Sequence, residues 1–135
     1  MLKPRIMKIL IFSLLLLMSS CDKGDDTKST DSIIGTWKLV EVYGSDGGSN
    51  AQWTPIDNGY TYTFRNDGVL ISDRFSCNGT FEQSSEQLTI NFDCVDNQFN
   101  LTYNMSLMNN ELVLTADSMN CDEGCAEKYQ RIMTE

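Results

Sequence analysis

The chain has 135 residues, room for one domain and little more. Its 10 Lys/Arg against 19 Asp/Glu give a formal charge of −9, a balance that nucleic acid and anionic lipid head groups repel. There is no histidine, which excludes Ser-His-Asp and Cys-His catalysis, His-ligated zinc and proton transfer through imidazole.

The first twenty residues have the pattern of a leader. Lys3, Arg5 and Lys8 form a positive start, and the apolar run from Ile9 to Met18 is too short to cross a bilayer core of about 30 Å as a stable helix. Ser19 and Ser20 are small, as a peptidase site requires, and Cys21 follows. The stretch Leu17-Met18-Ser19-Ser20-Cys21 resembles a bacterial lipobox, with Met18 standing where Leu or Val is usual. The resemblance implies cleavage before Cys21 and acylation of its thiol, palmitate being one such chain. Without residues 1–20 the chain carries 7 Lys/Arg against 19 Asp/Glu, a net −12. Membrane attachment then rests on acyl chains rather than on basic side chains.

Residues 21–32 read as a lipidated, flexible tether, because no apolar residue occurs from Asp22 to Ser32. Fully extended, the tether reaches roughly 40 Å. Its acidic residues resemble surface-export signals of some Gram-negative lipoproteins. Asp31-Ser32-Ile33 and Asp117-Ser118-Met119 resemble an O-glycosylation motif of exported bacterial proteins.

Residues 33–135 form the predicted domain. From Ile33 onward apolar residues recur with period two, the signature of strands. Eight are predicted: Thr36–Tyr43, Tyr60–Arg65, Val69–Arg74, Asn78–Gln83, Gln87–Asp93, Gln98–Leu107, Glu111–Asp117 and Ala126–Ile132. In the first, the phase slips between Trp37 and Leu39 and Val40 and Val42, which predicts a bulge. Asn66-Asp67-Gly68, Ser84-Ser85-Glu86 and Asn109-Asn110 predict tight hairpins. Sequential hairpins make a meander, and eight strands of one can close into an antiparallel up-and-down barrel without free edges. The short turns then lie at one end. The long loop Gly44–Gly59 and the other longer connections lie at the opposite, open end.

With Cys21 assigned to lipid, four of the five cysteines remain, an even number suited to disulfides in an oxidising compartment. All four fall at the open end. Pairing the fourth and fifth strands around Ser84–Gln87 sets Gln83 opposite Leu88, Phe81 opposite Ile90, Gly79 opposite Phe92 and Cys77 opposite Cys94. Asn78-Gly79 is a competing turn signal that would shorten this register. The favoured disulfides are Cys77–Cys94 and Cys121–Cys125, out of three connectivities open to four cysteines.

Gly35-Thr36-Trp37 at the start of the first strand, with Arg131 near the end of the last, looks like the kernel of the lipocalin superfamily. The series Gly35-Thr36-Trp37-Lys38-Leu39-Val40, Tyr62-Thr63-Phe64-Arg65-Asn66-Asp67-Gly68, Gly79-Thr80-Phe81, Leu88-Thr89-Ile90 and Tyr129-Gln130-Arg131-Ile132 resembles small lipocalin-like domains of bacterial lipoproteins. That resemblance implies an all-β, lipocalin-like barrel in which a guanidinium plugs one end over an indole. The domain is much shorter than full lipocalins.

Eight strands enclose a lumen that side chains can fill or that can hold one small ligand, and the residues leave both open. Trp53, Tyr60, Tyr62, Phe64, Phe92 and Tyr103 are the candidate ligand-contacting residues. Trp53 is expected either to cap the open end or to pack down as an anchor for its loop, with packing favoured. Asp93, Asp96, Asp117, Asp122, Glu123 and Glu127 read as a solvated acidic rim, since no calcium-loop spacing is present. No catalytic residue, metal or cofactor is expected. The sequence points to a non-enzymatic protein of the cell envelope, lipid-anchored to the outer membrane, with its open end away from the bilayer. There it would bind a small apolar or amphipathic ligand or, alternatively, dock another envelope protein.

Overall fold

The computed structural model describes residues 32–45, 50–116 and 125–133. The expected leader, Cys21, the tether before Ser32 and residues 117–124, Cys121 among them, lie outside the described residues. Within them the period-two pattern becomes nine strands: β1 (Gly35–Gly44), β2 (Gln52–Pro55), β3 (Thr61–Phe64), β4 (Val69–Ser72), β5 (Gly79–Ser84), β6 (Gln87–Asp93), β7 (Gln98–Met108), β8 (Glu111–Ala116) and β9 (Ala126–Arg131). All neighbouring pairs are antiparallel, and β9 pairs back onto β1. Strands β1 and β3 to β9 therefore close an eight-stranded barrel, as the meander predicts.

The ninth strand, β2, is a correction. The stretch Gly44–Gly59 is not loop throughout, because Gln52–Pro55 pairs with Glu41–Gly44. β1 is long enough to share one edge between two partners. Its first half pairs with β3, Gly35 opposite Phe64 through Lys38 opposite Thr61, and its second half with β2. Leu39 N donates to Tyr60 O at 3.0 Å and Ile56 N to Val40 O at 2.8 Å across the changeover. On the other edge the register with β9 slips between Leu39 and Glu41, which is the predicted bulge. The bulge lets Trp37 and Leu39, then Val42, all face inward although they break strict alternation.

The tight turns form with the residues their geometry demands. Asn109 and Asn110 hold φ of 52° and 64°, and Ser85 holds 54°. These left-handed values suit two-residue hairpins. Gly79 is not a turn residue: it starts β5, buried against Phe92, and a Cβ there would lie 2.5 Å from Asn91 O. The β5–β6 register sets Gln83 opposite Leu88 and Phe81 opposite Ile90, and Cys77 and Cys94 are bonded with Cα atoms 5.6 Å apart.

The lumen is packed. Trp37, Tyr62, Leu70, Leu88, Ile90, Phe92, Leu112, Leu114 and Tyr129 are fully buried, with Phe64 almost so. Among the described residues, Tyr62, Phe64 and Phe92 are thus packed into the core of the deep interior. At the end of the tight turns, Arg131 lies opposite Trp37, its guanidinium 4.2 Å from the indole centroid. Arg131 Nη1 donates to Ile34 O at 2.7 Å and Nη2 donates to Ser32 O. Trp37 Nε1 donates to Ile33 O at 2.7 Å. Gly35 is required here: its φ is +134°, and a Cβ would stand 2.7 Å from Arg131 Nη1.

Candidate functional site

The open end is built on the connection between β4 and β5. Asp73 accepts a hydrogen bond from Thr61 N at 2.7 Å, and Arg74 N donates to Ser72 Oγ at 3.2 Å. The chain then turns inward. Phe75 stacks on Phe92 with centroids 3.9 Å apart and planes 13° from parallel, and packs against Phe99 at 5.6 Å. Ser76 Oγ donates to Asp96 Oδ1 at 2.6 Å, and Cys77 follows, bonded to Cys94. The Ser76 hydrogen bond lowers the Asp96 carboxyl from its ordinary value. Phe75 thus roofs the core, and the disulfide holds the connection that carries it.

Beside this roof is a recess of about 350 Å³. Its walls are apolar: Val42 from β1, Phe99 and Leu101 from β7, and Leu114 and Ala116 from β8. Tyr103, almost fully buried, lines it from below. Arg74 and Glu127 supply its charges. Glu127 faces inward because it shares parity with Tyr129 and Arg131 on β9.

Glu127 anchors a phenol cluster. Tyr60 donates to Glu127 Oε1 at 3.0 Å and Tyr129 to Oε2 at 2.8 Å, and the two hydroxyl oxygens lie 2.8 Å apart. Arg74 Nη1 donates to the Tyr60 hydroxyl at 3.3 Å, and its guanidinium lies 5.1 Å from the Tyr60 ring centroid. Burial raises all four inner phenols above the ordinary tyrosine value, the Glu127 charge adding to it. Tyr62 is pushed up to about 12, and Tyr60, Tyr103 and Tyr129 are also raised. The Tyr62 hydroxyl is buried without a hydrogen-bond partner. The arrangement offers apolar surface for one part of a small molecule and polar groups for another.

The predicted site residues separate into three groups. Tyr62, Phe64 and Phe92 belong to the core. Tyr60 and Tyr103 stand at the boundary between core and recess. Trp53 lies apart from the recess, packed down rather than capping the open end, the alternative that the sequence favours. It is opposite Tyr43 on the outward face of β1, ring centroids 5.3 Å apart, with Lys128 Nζ 4.4 Å from its ring centroid. Lys128 in turn pairs with Glu41 at 2.5 Å. Trp53 is the packed anchor of its segment. Arg74 and Phe75 are site residues that the strand pattern does not mark, and the one signal for them is an aromatic ring close to a disulfide cysteine in a polar loop. Glu127, expected in a solvated rim, faces inward instead, because it shares parity with Tyr129. Of the other rim residues, Asp93 accepts from Gln98 Nε2 at 2.8 Å, and Asp117, Asp122 and Glu123 lie outside the described residues. Cys125 is disulfide-bonded, and the Cys121–Cys125 pairing lies outside the described residues because Cys121 does.

The family model of the lipocalin-like domain matches residues 33–114, from the residue beneath Trp37 to the inner face of β8. The chain belongs to the lipocalin-like domain family. No curated protein and no solved structure matches it. A lipocalin-like barrel is a small-ligand-binding or carrier fold, typically without enzymatic activity. In this lipocalin-like domain the recess between Phe75 and β9 lies at the mouth of a filled core.

Proposed function

We propose that the protein is a non-enzymatic lipoprotein of the cell envelope that binds a small amphipathic molecule in the recess at its barrel mouth. The observation that carries this reading is the recess itself. It adjoins apolar walls to a guanidinium and a carboxylate, and its volume falls at the lower end of small-molecule sites. Support for the anchor comes from the sequence alone, from the leader and the lipobox-like segment ending at Cys21. The tether leads into Ser32 at the Trp37–Arg131 end, so acylation at Cys21 would leave the recess free to face away from the outer membrane.

Two experiments test the two parts. Native mass spectrometry of the protein from lipid-rich preparations is expected to show a retained small molecule. Ala116→Phe, which fills the recess, is expected to abolish retention with little change in melting temperature; retention by this variant refutes the site. Cys21→Ser is expected to move the protein from membrane to soluble fractions, and continued membrane retention refutes the anchor. The packed lumen favours a second reading, an envelope protein that uses its open end to dock another protein. A bare mass in every preparation, together with a stable complex dependent on Arg74 or Phe75, would establish that reading instead.

A further inference from the structure

Donors and acceptors in the recess are unequally engaged. Each oxygen of Glu127 already accepts a phenol, from Tyr60 and from Tyr129. Arg74 makes one side-chain hydrogen bond, from Nη1 to the Tyr60 hydroxyl, and no carboxylate lies within ion-pair distance of it among the described residues. A guanidinium carries five N–H donors and no acceptor, so several remain for a ligand oxygen beyond the bond to Tyr60.

Arg74 is nevertheless held. Its guanidinium lies 5.1, 5.5 and 5.7 Å from the ring centroids of Tyr60, Phe75 and Phe99. The connection bearing it is fixed by the Cys77–Cys94 disulfide and by Ser76 on Asp96. A cation immobilised before binding loses little side-chain freedom on binding. Beneath it lies the fully buried Tyr62, whose ring packs 5.2 Å from that of Tyr60.

We propose that the recess selects a medium-chain carboxylate, its head on the Arg74 guanidinium and its tail along Phe99, Leu101, Leu114 and Ala116. The inference rests on the ligand-binding reading of the same recess and adds the chemistry of the head group. The planar guanidinium matches a carboxylate by a two-pronged hydrogen bond, which an alcohol cannot accept and an ammonium would oppose by charge. Taking about 30 Å³ for each heavy atom, as for one water in the liquid, a volume of about 350 Å³ admits roughly a dozen such atoms. Octanoate fits within it.

The test is isothermal titration of the purified protein with octanoate, 1-octanol and octylammonium. Octanoate is expected to bind about ten-fold more tightly than octanol, the scale of one charge-assisted hydrogen-bond pair, and octylammonium more weakly than either. Arg74→Met is expected to remove the preference for octanoate over octanol, and Arg74→Lys to keep part of it. Both variants should keep the melting temperature of the unaltered protein and still bind octanol measurably, which shows that the fold and the recess remain. Equal or tighter binding of octanol or octylammonium overturns the head-group assignment and leaves the recess standing. An octanoate preference that survives Arg74→Met overturns the role of Arg74. Binding of none of the three overturns the ligand reading together with this one.

Discussion

Replacing both Cys77 and Cys94 with alanine removes the bridge at the barrel mouth without adding a charge or a large group. The bridged residues are 17 apart in sequence. Closing a loop of that length in the unfolded chain is worth about 3 kcal/mol at room temperature in the chain-entropy treatment. A domain of about 100 residues loses about 4–8 °C per kcal/mol, so the melting temperature is expected to fall on the order of 15 °C. The loss should appear mainly as a shift of the urea midpoint, with a steeper denaturant dependence because the freed unfolded chain exposes more surface. Trp37, fully buried beneath Arg131, serves as the fluorescent reporter of global unfolding. The same variant should admit octanol less selectively than the unaltered protein, because Phe75 and Arg74 lose their tether. A stability loss below about 1 kcal/mol would refute this account. It would mean that Phe75 on Phe92 and Ser76 on Asp96 hold the connection without the bridge.

Arg131→Ala removes a stacked cation and two hydrogen bonds to the carbonyls of Ile34 and Ser32, and should cost about 2–3 kcal/mol in urea unfolding. Arg131→Lys keeps the charge but not the fork, and should recover less than half of that loss. Gly59→Ala places a Cβ 1.9 Å from Leu39 O, where backbone rather than a flexible side chain obstructs it. A loss of about 2–3 kcal/mol is expected, measurable as a lower melting temperature. The raised phenols set an alkaline limit. A tyrosine whose folded pKa exceeds its unfolded value of 10.0 stabilises the fold fully below pH 10, and that stability is lost as pH rises toward the folded value, about 12 for Tyr62. Stability should therefore be flat near neutrality and fall steeply between pH 10 and 12, with phenolate absorbance and loss of Trp37 burial rising together; phenolate formation by these residues ahead of unfolding would contradict it.

Much of the barrel was legible because its information is local and periodic. Once Ser84–Gln87 is a tight turn, strand parity carries the register step by step to Cys77 and Cys94. Gly35, Trp37 and Arg131 likewise mark the first and last strands as neighbours. β2 was not legible, since four residues ending in Pro55 show no sustained alternation. They become a strand because β3 ends its pairing at Lys38 and leaves the far half of β1 with open backbone groups. The recess was harder still. Asp73-Arg74-Phe75-Ser76 is polar around one ring, and only the facing rings of Phe92 and Phe99 turn it inward. Glu127 was within reach, because Tyr129 and Arg131 fix its side of the strand. An acidic side chain ordinarily stands in water, and here strand alternation sets it against phenols instead.

The pairing of β1 with β9 joins residues near the two ends of the domain, Trp37 with Arg131 and Tyr43 with Ala126. A growing polypeptide that has not yet produced Ala126 has neither the last stave of the barrel nor the cation that seals Trp37. Every earlier hairpin can form locally, yet the cylinder cannot shut, and contacts so distant in sequence make its final step slow. Completion of the native barrel is thereby deferred until Ala126–Arg131 has been made, however early the other strands appear.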